Sequence, residues 1–115
     1  MKKSDLLNME YDRFMRLLIF FDLPTLTKKN RRDYTKFRKN LIRNGFYMIQ
    51  ESVYAKMVID HQLAESITNK INSFLPSEGN VMVLTITEKQ FNGIEILLGD
   101  AKSDVVSSLD RILEI

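Results

Sequence analysis

The chain has 115 residues, 44% of them hydrophobic, which is enough for one domain with a core of its own. It has no cysteine, which excludes a disulfide framework, a zinc–thiolate site and a cysteine nucleophile. The formal net charge of +2 conceals a division: residues 28–43 hold eight basic residues against one acid, a local +7, whereas residues 59–115 hold four basic and nine acidic, a local −5.

So one-sided a basic segment favours a polyanion partner over an ordinary solvated face. The longest apolar run, residues 17–21, is too short to span a bilayer, and residues 1–14 lack the apolar core of a signal peptide. A soluble, cytoplasmic protein is expected, without a membrane or a small-molecule cofactor.

Taken in order, residues 1–8 show no periodicity and are expected to be a disordered extension. Residues 17–21, Leu-Leu-Ile-Phe-Phe, have the length of a strand buried on both faces, and Pro24 stops regular pairing just beyond. Asp22 then stands at a strand's C-terminal edge, where a rigid sheet presents groups to solvent. Two readings of it stay open: a turn former whose carboxylate accepts a backbone N–H, or an acid held out for a cation.

Thr27 caps a helix that runs through Asn44, where Asn44-Gly45 supplies a left-handed stop. At 100° per residue, Tyr34, Phe37 and Leu41 fall within an arc of about 60° and face the sheet. Lys28, Arg32, Lys36, Lys39 and Arg43 fall within about 80° on the opposite side, a stripe roughly 22 Å long at 1.5 Å per residue. Lys28, Lys29, Arg31, Arg32, Lys36 and Lys39 are the expected phosphate contacts, with Lys29 and Arg31 on the flanks. Tyr34 and Phe37 share Leu41's face, so they are core and not base-stacking residues.

Residues 46–50 and 53–58 read as two strands with a tight turn or bulge at Glu51-Ser52, one long bent strand being the competing reading. Asp60 caps a second helix with Leu63, Ile67, Ile71, Phe74 and Leu75 on one face, and Pro76 ends it. Gly79-Asn80 turns the chain into a strand at 81–87, with Val81, Val83, Thr85 and Thr87 on one face and Met82, Leu84 and Ile86 on the other. A further strand is expected at 93–98, a polar loop at 99–108 and a last apolar segment at 111–115. The order β-α-β-β-α-β is that of an α+β, ferredoxin-like sandwich, an antiparallel sheet covered by two helices on one face. A second subunit's sheet is the natural partner for the added strands. His61 is a lone histidine with no companion ligand, and Ser52 has no base beside it.

Several stretches together resemble the CRISPR-associated protein 2 family, in the branch found beside a single large effector nuclease. They are Arg16-Leu-Leu-Ile-Phe-Phe-Asp22-Leu-Pro24, the basic helix with Tyr34 and Phe37, Gly45-Phe46 leading to Gln50-Glu-Ser52-Val53-Tyr54, and Thr87-Glu88-Lys89-Gln90-Phe91. The likeness runs over residues 9–115, taken as a single domain. It implies a homodimer in which Asp22 faces its two-fold mate, so that one gene supplies two carboxylates to a Mg²⁺ ion. It also implies an architectural role in spacer acquisition, bridging two dimers of the CRISPR-associated integrase and supporting the double-stranded DNA to be inserted. Metal-dependent endonuclease activity at the paired Asp22 is a second capacity it leaves open. No general base stands beside Asp22 in the sequence, so hydrolysis there rests on metal-activated water. The alternative is a metal-dependent endoribonuclease of the toxin-like type.

Overall fold

A computed structural model of the chain describes residues 14–99. The extension expected at residues 1–8 and the segment expected at 111–115 lie outside them, as does all but the first residue of the loop expected at 99–108. The apolar run at 17–21 forms the centre of strand β1 (Met15–Asp22), in which Leu17 and Ile19 are fully buried. Helix α1 (Lys28–Arg43) follows, then β2 (Tyr47–Gln50), β3 (Val53–Val58), helix α2 (His61–Asn72), β4 (Asn80–Thr87) and a short helix α3 (Glu88–Asn92).

The four strands form one antiparallel sheet in the order β2-β3-β1-β4, the ferredoxin-like arrangement, with β1 hydrogen-bonded on both sides. Phe20 stands between Val53 of β3 and Met82 of β4, and Asp22 stands opposite Asn80. The hairpin between β2 and β3 carries the expected irregularity: the register shifts between Met48 and Gln50, and Ser52 adopts φ 67°.

Alternation sorts β1 onto two faces. Leu17, Ile19 and Phe21 join Phe37 and Leu41 of α1, Tyr54 and Val58 of β3, and Ala64 and Ile71 of α2 in the main core. The Phe21 ring meets Phe37 edge-on, with centroids 5.3 Å apart at 85°, and each such buried aromatic contributes about 1.5–3 kcal/mol. Thr27 caps α1 through a reciprocal pair: its hydroxyl accepts from the Asn30 N–H at 3.0 Å, and the Asn30 side chain accepts from the Thr27 N–H at 3.3 Å. Gly45, at φ +88°, provides the stop.

Two expectations are corrected. Residues 93–98 form no strand: α3 begins directly after β4, because the Thr87 hydroxyl accepts from the Gln90 N–H and the Gln90 side chain accepts from the Thr87 N–H, a second capping box. Leu97 and Leu98 are exposed in the single chain. On α2, Leu63 and Leu75 are exposed and Ala64 is buried, since the inward stripe is centred on Ile67 and Ile71 and the helix ends at Asn72, before Leu75.

The other sheet face is mostly open. Leu18, Ala55 and Phe91 form a small second core there with Phe20, Tyr47, Ile49 and Ile86 at its margin, while Met82 and Leu84 on the same face are 65% and 52% exposed. The α3 segment lies over the Arg16 end and leaves the Asp22 end uncovered. No described helix is long and apolar enough to cross a membrane.

Candidate nucleic-acid interface and acidic edge

Asp22 is the last residue of β1 and is exposed. By alternation its side chain shares the open face with Leu18 and Phe20, not the helix-covered one. Among the described residues its carboxylate accepts no hydrogen bond and joins no ion pair, which removes the turn-former reading. Its backbone is held closely: Phe21 donates to the Ser52 carbonyl at 3.0 Å, and Gly79, at φ +105°, packs so tightly that a Cβ there would stand 2.6 Å from the Asp22 carbonyl oxygen. The acid is therefore rigidly placed and chemically unspent.

A divalent cation of the magnesium type takes oxygen ligands, usually one or two carboxylates completed by water and substrate phosphate oxygens. A free carboxylate at an open edge fits that chemistry. Among the described residues no three His, Cys, Asp or Glu side chains come together, so Asp22 is a single carboxylate at this edge of the protomer.

The stripe on α1 is built as its periodicity requires. Lys28, Arg32, Lys36, Lys39 and Arg43 are exposed on the side of the helix away from Phe37 and Leu41. Because α1 covers the opposite sheet face from Asp22, the stripe and the carboxylate stand on opposite sides of the domain, although both start from the same end of β1. The structure separates what the sequence places side by side.

The flanking cations are engaged within the fold. Lys29 donates to the Ser77 hydroxyl at 2.9 Å and to the Asp33 carboxylate at 3.4 Å. Arg31 donates to the carbonyls of Thr25 and Leu26 at 3.1 and 3.0 Å, bracing the turn after β1. Arg38 lies off the stripe and donates to the Tyr54 hydroxyl at 2.8 Å. His61 is exposed at the start of α2.

One charged cluster was not apparent from sequence. Arg16 and Glu88 are 2% and 1% exposed, and the guanidinium Nε and Nη2 donate to the two carboxylate oxygens, the latter at 3.3 Å. Its Nη1 donates to the Tyr47 hydroxyl, and its Cζ lies 4.6 Å from the Phe91 ring centroid. This pair pins α3 across one end of the open face. The capping box at Thr87 and Gln90 is the one local signal that could have revealed α3; the pairing itself spans 72 positions.

Comparison with known proteins agrees with this architecture. The family model for CRISPR associated protein Cas2 matches residues 15–94. A relative from Ligilactobacillus salivarius named CRISPR-associated endoribonuclease Cas2 is 48% identical over 99 residues, covering 86% of this chain and 98% of its own length. Proteins of the same name from Treponema denticola and Lacticaseibacillus rhamnosus are 44% and 41% identical, covering 86% and 88% of this chain and 98% and 100% of their own. With an acid exposed at the end of β1, a ferredoxin-like sheet and similarity over most of its length, the chain belongs to the CRISPR-associated Cas2 family.

Proposed function

We propose that the protein works as a homodimer in CRISPR spacer acquisition, bridging integrase dimers and carrying the duplex DNA to be inserted. The observation that carries this reading is the separation of two surfaces. The open sheet face, apolar at Phe20, Met82 and Leu84, ends in the unspent Asp22, while the cationic stripe of α1 points the other way. Packing two open faces together buries the exposed apolar side chains and brings the two Asp22 residues toward a shared axis. The same packing leaves both stripes outward. Lys28, Arg32, Lys36 and Lys39 then contact phosphates without reading bases, with Lys29 and Arg31 at the margin.

At such an axis the two Asp22 carboxylates would hold a magnesium ion. The ion, when bound, supplies charge neutralisation at phosphate and activation of water. The relatives are named endoribonucleases, which favours a second reading, cleavage of RNA; in that reading we assign the cleavage to the same Asp22 pair.

One experiment separates these readings. Duplex affinity is measured against salt for the native protein and for Asp22→Asn, alongside Mg²⁺-dependent cleavage of RNA and DNA and spacer acquisition in cells. The adaptor reading expects log K to fall with log salt at a slope of roughly −4 to −5 in both proteins, with acquisition retained by Asp22→Asn. A slope near zero contradicts it. Loss of RNA cleavage together with loss of acquisition in Asp22→Asn favours the nuclease.

A further inference from the structure

The residue directly opposite Asp22 in the β1–β4 ladder is Asn80, the first residue of β4. Directly opposed residues of an antiparallel pair carry their side chains on the same face with Cβ atoms about 4.5–5.5 Å apart, so the side chains of Asn80 and Asp22 leave the sheet together on the open face. Asn80 is exposed, and among the described residues its side chain has no hydrogen-bond partner. Its position is set by the residue before it. Gly79 at φ +105° lies where a Cβ would stand 2.6 Å from the Asp22 carbonyl oxygen and 2.8 Å from the Leu23 side chain, so the turn into β4 is pressed against the backbone of Asp22 itself.

From this juxtaposition we infer that Asn80 is a second oxygen donor to the divalent cation held by Asp22. The inference rests on the reading of Asp22 as a metal ligand and extends it to a residue that neither charge nor spacing singles out. The chemistry explains why an amide suits the position. With no ion bound, two carboxylates on a two-fold axis already repel each other, and a further acid from each chain would add to that repulsion in the metal-free protein while still offering the ion an oxygen. A carboxamide oxygen adds a hard ligand without charge, and carboxamide oxygens serve divalent cations beside carboxylates in oxygen-only sites. Two copies of the chain thus offer two carboxylates and two carboxamides on one face, and water and phosphate oxygens complete the shell.

The test uses Mn²⁺ as the probe ion and reads its binding to the full-length protein directly by electron paramagnetic resonance, with no turnover involved. Native protein, Asp22→Asn, Asn80→Ala and Asn80→Asp are compared, and metal-free thermal melts check that each is folded. The expected result is that Asn80→Ala weakens Mn²⁺ binding about tenfold, Asn80→Asp restores it, and Asp22→Asn abolishes it. Native Mn²⁺ binding by Asn80→Ala, together with its loss in Asp22→Asn, overturns the role of Asn80 while sparing Asp22. Native Mn²⁺ binding by Asp22→Asn overturns the metal reading of Asp22, and the role of Asn80 with it. If Asn80→Ala melts early, Asn80→Ser takes its place, with the same expectation.

Discussion

The buried pair of Arg16 and Glu88 allows the most quantitative prediction. Arg16 is 2% exposed and spends its guanidinium on both oxygens of Glu88 and on the Tyr47 hydroxyl. Replacing it by methionine keeps much of the stem volume but leaves a carboxylate, 1% exposed, without its cation. Breaking a buried pair in this way costs about 3–5 kcal/mol, a large fraction of the roughly 5–15 kcal/mol that holds a domain together. For a domain of this size the loss lowers the melting temperature by on the order of 12 °C or more. Glu88→Leu should cost as much from the other side, because it strands a guanidinium whose remaining partners are the Tyr47 hydroxyl and the Phe91 ring. The double variant Arg16→Met, Glu88→Leu should recover most of the loss, since an apolar pair of similar volume is often neutral or stabilising. Urea denaturation of the four proteins gives the coupling energy directly. Single variants that each cost under about 1 kcal/mol, or a double variant whose loss is their sum, would refute the reasoning.

Three further outcomes follow from the same geometry. Leu84→Glu places a charge at the centre of the open face and should shift the protein to monomer in sedimentation equilibrium with its far-ultraviolet circular dichroism unchanged, since Leu84 is 52% exposed in the protomer; a variant that stays dimeric removes this face from the interface. Lys36→Ala should lower the steepness of the duplex-binding salt dependence by about one, whereas Lys29→Ala should change it little, because its ammonium is held by Ser77 and Asp33; equal effects would show that Lys29 leaves those partners on binding. Gly79→Ala should destabilise the fold by more than about 1 kcal/mol in urea denaturation, since its φ of +105° and the 2.6 Å approach to the Asp22 carbonyl leave no room for a methyl group; native stability would mean that the turn relaxes freely.

The parts of the fold that could be read from sequence are those whose causes are local. The apolar run of β1, the Thr27 cap and Asn44-Gly45 stop of α1, and the alternation in β4 each declare themselves within a few residues. Helix α3 escaped because five residues are too few for a 3.6-residue period, and the apolar residues after Gly93 resemble a strand when nothing shows whether a neighbour exists to pair with them. The same limit applies to the site. Asp22 could be placed at a strand end from the apolar run before it and Pro24 after it, but the face it shares, its empty hydrogen-bonding capacity and its opposition to Asn80 depend on register. The basic stripe was legible as a stripe. Its position across the domain from Asp22 depends on which sheet face α1 covers, and the engagement of Lys29 depends on Ser77, 48 residues away, whereas Arg31 turns back onto carbonyls only five and six residues before it.

Two copies that meet through the open sheet face bring the Asp22 residues together and hold the cationic stripes apart. Because the chain has no cysteine, a single introduced thiol is unique. Pyrene attached at Asp22→Cys and, separately, at Lys36→Cys reports proximity by excimer emission from the assembled dimer. Dimerisation through the open face should give strong excimer emission from position 22 and monomer emission alone from position 36; a dimer that shows excimer emission from position 36, or none from position 22, rules out that packing.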